Sequence, residues 1–388
     1  MDILLSPEHD AIADNVARIT ARFGDDYWSE CDQAPRFPFE FHKAMADAGW
    51  LGITMPEALG GAGLGVTEAA ILMHAVARGG GGYAAASSIH LNIFGPHAIV
   101  VHGTAEQKRR MLPPLIRGKE KACFGVTEPN AGLDTTSIET FARRTHDGYI
   151  VTGRKIWTTT AQEADKILLL TRTARKEDGR KPTDGMTLFY TTLDRSKVEV
   201  RRIPKMGRAA VDSNTVFIDD LFVPEEDRIG EEGKGFRYLL DSLNPERILI
   251  AAEAIGLGRD ALGRAARYAK ERVVFGRPIG QNQGVQHPLA ECWTYLESAW
   301  WMTLRAAALY DAKQPCGAEA NASKLLGARA AFSAAKTAMT THGGMGYARE
   351  YQIERLFRES MIPILAPVSE QMILSYIGEN VLGLPKSY

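Results

Sequence analysis

Cysteine is scarce in this chain of 388 residues: Cys31, Cys123, Cys292 and Cys316 are the four, and none falls in a CxxC pair. That spacing supports neither a zinc site nor a redox dithiol, and buried free thiols are expected. Charge of one sign is equally lacking. Lys plus Arg number 46 and Asp plus Glu 47, a net charge of −1. So balanced a chain has no general attraction to nucleic acid or to an anionic membrane. No apolar run reaches the ~18 residues of a membrane span. The start, MDILLSPEHD, carries acids early and no basic-then-apolar signal. A cytoplasmic protein is the expectation. Internal repeats and low-complexity tracts are missing, apart from the run Gly79 to Gly82.

Familiar motifs are absent too. Gly60 to Gly65 is glycine-rich but does not fit G-x-G-x-x-G, and no strand precedes it. Gly230 to Gly235 lacks the spacing and the hydroxyl of a P-loop. There is no G-x-S-x-G elbow and no HExxH. Basic residues do not cluster with aromatics, and no metal site is expected.

What is present is ample core material. Apolar residues make up 45% and charged residues 24%, the ordinary globular balance. Three regimes follow one another. Residues 1–118 read as helical. Ser6 before Pro7 is a helix start, Phe39–Ala48 and Val66–Arg78 are further helices, and the glycine run stops the last of them. Residues 119–234 turn to short β-type runs, such as Ile167–Leu170, Met186–Tyr190, Val216–Ile218 and Leu221–Val223, with a polar loop at 174–184. Strands without alternating helices predict an antiparallel barrel or sandwich. Residues 235–388 return to helix. Val285, Leu289, Cys292, Leu296, Trp300, Leu304 and Ala308 recur every three or four residues, the stripe of a bundle helix.

Four separated segments carry the remaining signal. They are Val126-Thr127-Glu128-Pro129-Asn130-Ala131-Gly132, then Gly153 to Thr159 around Trp157, then Lys205-Met206-Gly207-Arg208 with Gly230 to Phe236, and last Tyr268, Arg272, Phe275-Gly276, Gln283 and Gly343-Gly344-Met345-Gly346-Tyr347. Ala48 to Ile53 and Gly103 to Lys108 fit the same pattern. In this order the chain resembles the acyl-CoA dehydrogenase family over essentially its whole length. The resemblance implies a mainly α protein: a helical N-terminal domain, a central antiparallel β-barrel and a C-terminal four-helix bundle. It implies FAD as cofactor, an acyl-CoA substrate, an electron-transferring flavoprotein as electron acceptor, and a homo-oligomer, dimer or tetramer. By resemblance, Val126, Thr127, Trp157 and Thr159 hold the flavin ring. Arg272, Phe275 and Gln283, with the Gly343-Gly344 turn, serve the rest of the cofactor across a subunit boundary, and Ser369 and Gln371 add contacts near the chain end. Taken alone, Trp157 also reads as a core residue of the β domain, and Arg272 as a cation ending a helix.

Oxidising a thioester at Cα–Cβ needs a base for the Cα proton, and a carboxylate in a dry pocket suits it, because burial raises its pKa toward neutrality. Most of the family places this Glu near the chain end, where Pro367 stands here. A minority, isovaleryl-CoA dehydrogenase included, carries it directly before a substrate-binding Arg. The segment Asn244-Pro245-Glu246-Arg247 matches that arrangement. Glu246 is therefore the candidate base, with Asn244 and Arg247 as candidate acyl-CoA contacts. The competing reading makes Glu246 a first-turn helix carboxylate started by Pro245. Proline also lacks the N–H that helps hold the thioester oxygen, and a register one residue off would restore that donor at Ala366. Leu133 stands where the family usually has Ser. The expected activity is α,β-dehydrogenation of a short or branched acyl-CoA. The alternatives are another acyl-CoA reaction on the same fold, elimination or enoyl reduction, and a flavin- or acyl-CoA-binding protein without turnover.

Overall fold

Ser6 opens the first helix as its sequence predicts. Its hydroxyl accepts from His9 N, and His9 Nδ1 accepts from Ser6 N at 3.2 Å, a reciprocal cap ahead of Pro7. The structure, a computed structural model, describes residues 5–176 and 181–386. Part of the predicted loop at 174–184 thus lies outside the described residues. The N-terminal region holds α1 (Pro7–Thr20), α2 (Asp25–Gln33), α3 (Phe39–Asp47), α4 (Val66–Val76), α5 (Gly82–Ile93), α6 (His97–His102) and α7 (Ala105–Ile116).

The glycine run ends the helix as expected: α4 stops at Val76, and the path kinks at Gly79 and Gly80, whose φ/ψ are non-helical. Ala77–Gly81 form one wide turn and α5 begins at once. Gly80 and Gly82 take φ of +94° and +54°, which glycine adopts without a Cβ penalty. A Cβ on Gly82 would sit 2.7 Å from Glu359 Oε2. That carboxylate instead accepts from Tyr83 N at 2.7 Å and Ala84 N at 3.1 Å, satisfying the start of α5. The other glycine loop, at 60–65, leads into a helix whose N-terminus is already occupied. Asp311 accepts from Val66 N at 2.8 Å, Thr67 N at 2.9 Å and the Thr67 hydroxyl at 2.7 Å. Asp311→Ala is expected to cost about 1–2 kcal/mol, read as a lower unfolding midpoint in denaturant.

The central region forms an eight-stranded sheet: β1 (Ala122–Gly125), β2 (Phe141–Arg144), β3 (Gly148–Thr159), β4 (Lys166–Arg172), β5 (Met186–Thr192), β6 (Val198–Arg202), β7 (Ser213–Pro224) and β8 (Arg228–Ile229). The hydrogen-bonded order is β6-β7-β3-β2-β4-β5-β8, with β1 on β4. The expected wholly antiparallel barrel needs correction. β1 and β2 both pair with β4 in parallel, and the path is open, ending at β6 and β8. The reason is connectivity. The excursion through β2 and β3 between β1 and β4 gives the length a parallel crossover requires. The two predicted runs at 216–218 and 221–223 are one strand, β7, kinked where Asp220 takes φ +51° opposite a register shift in β3.

The C-terminal region comprises α8 (Gly235–Glu271), a hairpin of β9 (Val273–Val274) and β10 (Arg277–Pro278), α9 (Gln283–Asp311), α10 (Gly317–His342), α11 (Ile353–Glu359), α12 (Ile362–Leu365) and α13 (Glu370–Asn380). The long helices α8, α9 and α10 pack on one another, and the short series α11 to α13 packs along α10. In the predicted stripe of α9, Cys292, Leu296, Trp300 and Leu304 are buried. Two stretches, Val66–His102 and Ile353–Asn380, reach the mean hydropathy of a membrane span. Each is broken into separate short helices, the first is mostly buried inside the protein, and no α-helix within them exceeds 12 residues. A span needs ~20.

Candidate functional site

Glu246 lies inside α8, not at its start. The helix runs unbroken from Gly235 to Glu271 through Pro245. The first-turn explanation for this carboxylate therefore fails, because three turns of helix precede it. Its side chain is half-buried, and no hydrogen bond or ion pair holds its carboxylate among the described residues. Burial pushes its pKa up to about 7, against the pull of His90, Arg247 and Lys324. Asn244 and Arg247 share that turn: Arg247 Nη1 donates to Asn244 Oδ1 at 3.0 Å, and Arg247 Nε is buried without a partner.

The loop that carries Pro367 meets the same region through Lys324. This buried lysine of α10 donates to Val368 O at 2.6 Å, and its own pKa is pushed down to about 8, first by burial. The Ala366–Pro367 bond is cis. Even with the register one residue off, Ala366 would offer no free donor, since its N already donates to Ile362 O at 2.9 Å. The next N–H along the chain, that of Val368, has no partner among the described residues. Ser369 spends its hydroxyl on Met372 N at 3.3 Å as the cap of α13, and Gln371 is exposed. Glu370, the other acid here, pairs with Arg329 at 3.2 Å.

A second group gathers where β1 meets β3. Val126 and Thr127 follow β1 directly, and Ile156 N donates to Thr127 O at 2.9 Å. A buried pair fixes this junction. Lys155 Nζ donates to Glu128 Oε1 at 2.7 Å and to Val126 O at 3.1 Å, while Glu128 also accepts from Glu139 N at 2.7 Å and Thr140 N at 3.0 Å. Between Lys155 and Thr158 the register shifts, and Trp157 takes φ +59°. That bulge turns the indole outward, leaving it 56% exposed, so Trp157 is not a core residue of the β domain. Thr159 accepts from Arg208 at 3.3 Å, and the same guanidinium reaches Ser87 at 3.0 Å and Ser213 at 3.0 Å. A flat aromatic wall beside hydroxyls and a guanidinium fits an isoalloxazine ring. Leu133 is 64% exposed. Cys123 is buried and its thiol pushed far up by burial, so it is no nucleophile.

A third group sits at one end of the bundle. Tyr268, on α8 one turn before Arg272, stacks on His342, which directly precedes the Gly343-Gly344 turn, with centroids 4.3 Å apart. Phe275, at φ +51° in the β9–β10 hairpin, is 100% exposed, and Arg272 and Gln283 are exposed too. No hydrogen bond or ion pair joins this group to Trp157 or Thr127 among the described residues. The motif reading missed a buried polar pair near Glu246: His90 on α5 and Glu253 on α8. Glu253 was readable in principle, seven residues past Glu246 and so on the same helix face.

Comparison with known proteins agrees with this layout. The profiles of the acyl-CoA dehydrogenase N-terminal, middle and C-terminal domains match residues 6–119, 123–221 and 233–381. The chain is 34% identical over 396 residues to the acyl-CoA dehydrogenase fadE12 of Mycobacterium bovis, covering 99% of this chain and 98% of that one. It superposes on butyryl-CoA dehydrogenase from Megasphaera elsdenii with a TM-score of 0.91 at 27% identity, over 98% of this chain and 100% of that one. The FAD complex of PigA gives 0.92 at 26%, over 99% and 100%. A helical start, a central sheet and a helical C-terminal region are thus the parts of one known enzyme architecture, and the chain belongs to the FAD-dependent acyl-CoA dehydrogenase family.

Proposed function

We propose that this enzyme removes two hydrogens from a short or branched-chain acyl-CoA to give the trans-2-enoyl-CoA, with Glu246 taking the Cα proton. The single observation that carries this is Glu246 itself: a half-buried carboxylate, free of hydrogen bonds among the described residues, whose pKa is pushed up to about 7. A base of that strength is well matched to neutral pH. Other acids nearby are engaged: Glu253 with His90, Glu359 with the start of α5, and Glu370 with Arg329.

In this reading Arg247 and Asn244 bind the thioester beside the base, as in the isovaleryl-CoA dehydrogenase-like arrangement. Val126, Thr127, Trp157 and Thr159 hold the flavin ring. FAD, when bound there, would supply the hydride acceptor. Arg272, Phe275, Gln283, Gly343 and Gly344 serve the cofactor of a neighbouring subunit, which accounts for a fully exposed Phe275 on a protruding hairpin. Ser369 and Gln371 lie beside the ring. The enzyme acts in the cytoplasm as a homo-oligomer and passes electrons to an electron-transferring flavoprotein.

Activity should follow the ionisation of Glu246. The base works only deprotonated, so kcat/KM is expected to fall as pH drops through about 7 and to level off above it. Anaerobic bleaching of the flavin by acyl-CoAs across pH measures this. A profile that stays flat down to the ordinary carboxylate range would remove Glu246 from the role. A second reading, another acyl-CoA reaction on this fold, draws on Pro367: it offers no N–H to the thioester oxygen, and Ala366 N is already spent. Product mass separates the two, by loss of two hydrogens, loss of a leaving group, or gain of two hydrogens.

A further inference from the structure

Glu253 lies seven residues beyond Glu246, two turns along the same stripe of α8 and roughly 10 Å farther along the axis. The stripe between them is open. Leu243, Glu246, Arg247 and Ile250 are all partly accessible, whereas Glu253 is fully buried. Accessibility along this stripe therefore stops at Glu253. His90 of α5 closes that end, its Nδ1 2.5 Å from Glu253 Oε1. The side chain keeps 9% of its surface accessible, and its far nitrogen, Nε2, makes no hydrogen bond with any described residue. Glu253 Oε2 is buried without a partner. Burial opposes the charged ring, but the Glu253 carboxylate outweighs this and holds the His90 pKa above its usual range.

A hydrocarbon chain running along this stripe would meet an imidazole and an orphan carboxylate oxygen, and would satisfy neither. An oxygen atom at that position satisfies the ring. We propose that the His90–Glu253 pair is the polar end of the acyl-binding space and selects thioesters whose acyl chain carries an oxygen function, hydroxyl or carboxyl, at its far end. The inference rests on the proposed function, since Glu246 marks where the reacting carbons lie. The Nε2–H of His90 donates to the substrate oxygen, and Glu253 holds the ring in the orientation that aims it.

The test compares butyryl-, isovaleryl- and hexanoyl-CoA with the ω-hydroxy and dicarboxylic thioesters of matched chain length. Flavin bleaching under anaerobic conditions reads turnover, and perturbation of the oxidised flavin spectrum reads binding. The FAD-loaded wild-type enzyme is expected to favour an oxygenated member by tenfold or more in kcat/KM, because a site built to hydrogen-bond a substrate group discriminates against the analogue that lacks it. The hydroxy and dicarboxylic arms show which oxygen function it takes. The double variant His90→Leu/Glu253→Leu makes the end apolar without stranding a buried charge, and should erase or invert that preference. His90→Gln keeps a donor and should retain part of it. Equal or better use of the hydrocarbon thioesters by the wild type overturns the inference alone, as does an unchanged ratio in the double variant. If no thioester bleaches the flavin and none perturbs its spectrum, the proposed function falls and the inference with it.

Discussion

Glu246→Gln is expected to slow flavin reduction by acyl-CoA by about 10²–10⁴-fold, the usual worth of a positioned general base, while acyl-CoA binding is preserved. The substitution keeps the volume of the side chain and removes only its basicity. No partner is stranded, because none holds the carboxylate among the described residues. Binding of an anionic coenzyme thioester should not weaken, since the change leaves the positive groups His90, Arg247 and Lys324 around it less neutralised. Stopped-flow bleaching gives the rate, and spectral titration gives the affinity. Glu370→Gln is the control. That acid is tied to Arg329 at an exposed ion pair, so its loss should barely change the rate. Wild-type bleaching by Glu246→Gln would send the search for the base elsewhere.

Lys155→Met should have the largest effect on stability. The lysine is fully buried and neutralises Glu128, which is itself buried at the junction of β1 and β3. Removing one member of such a pair strands the other charge and typically costs about 3–5 kcal/mol. Burial alone would raise the Glu128 pKa, but Lys155 and the two backbone donors hold it below the usual carboxylate range. A lowered pKa contributes stability above the unfolded value, and that stability is lost as pH falls through the folded one. The variant should therefore lose stability at neutral pH and show a weaker dependence on acid than the wild type. Differential scanning calorimetry across pH measures both. The same lysine also holds Val126 O, so flavin should be retained less well on gel filtration. Adding Glu128→Gln removes the stranded charge and should restore much of the melting temperature. A melting temperature unchanged in Lys155→Met would show that the pair contributes nothing.

The fold was legible in the chain because its signals are local. Ser6-Pro7 is a helix start wherever it folds, since the cap involves residues three apart. The α9 stripe at 285–308 follows from helix periodicity alone. The order of helix, strand and helix regimes survives for the same reason, and the order of the segments around Val126-Thr127, Trp157, Lys205-Arg208 and Gly343-Gly344 carries the family. What failed was non-local. Nothing in the residues of β1 says that it will pair with β4 in parallel, because strand partners are chosen across forty residues of intervening chain. The glycine run 79–82 is a stop, as it reads, but nothing in it says that Glu359, more than 270 residues away, will supply acceptors for the next helix.

The site divides along the same line. Sequence alone named Glu246 and Arg247 as neighbours, because they are adjacent in the chain, and marked Pro367 as a missing base and a missing N–H. Only the tertiary structure decided that Glu246 sits half-buried in mid-helix. Its basicity is set by desolvation, a property of everything packed around it and of no single residue. Only the folded chain turned Trp157 outward, since a bulge depends on the register of two strands. And only packing of α5 against α8 brought His90 to Glu253, 163 positions apart, at 2.5 Å. Residue identity determines which chemistry is possible, whereas burial and distance determine which of it is used, and both are properties of the assembled core.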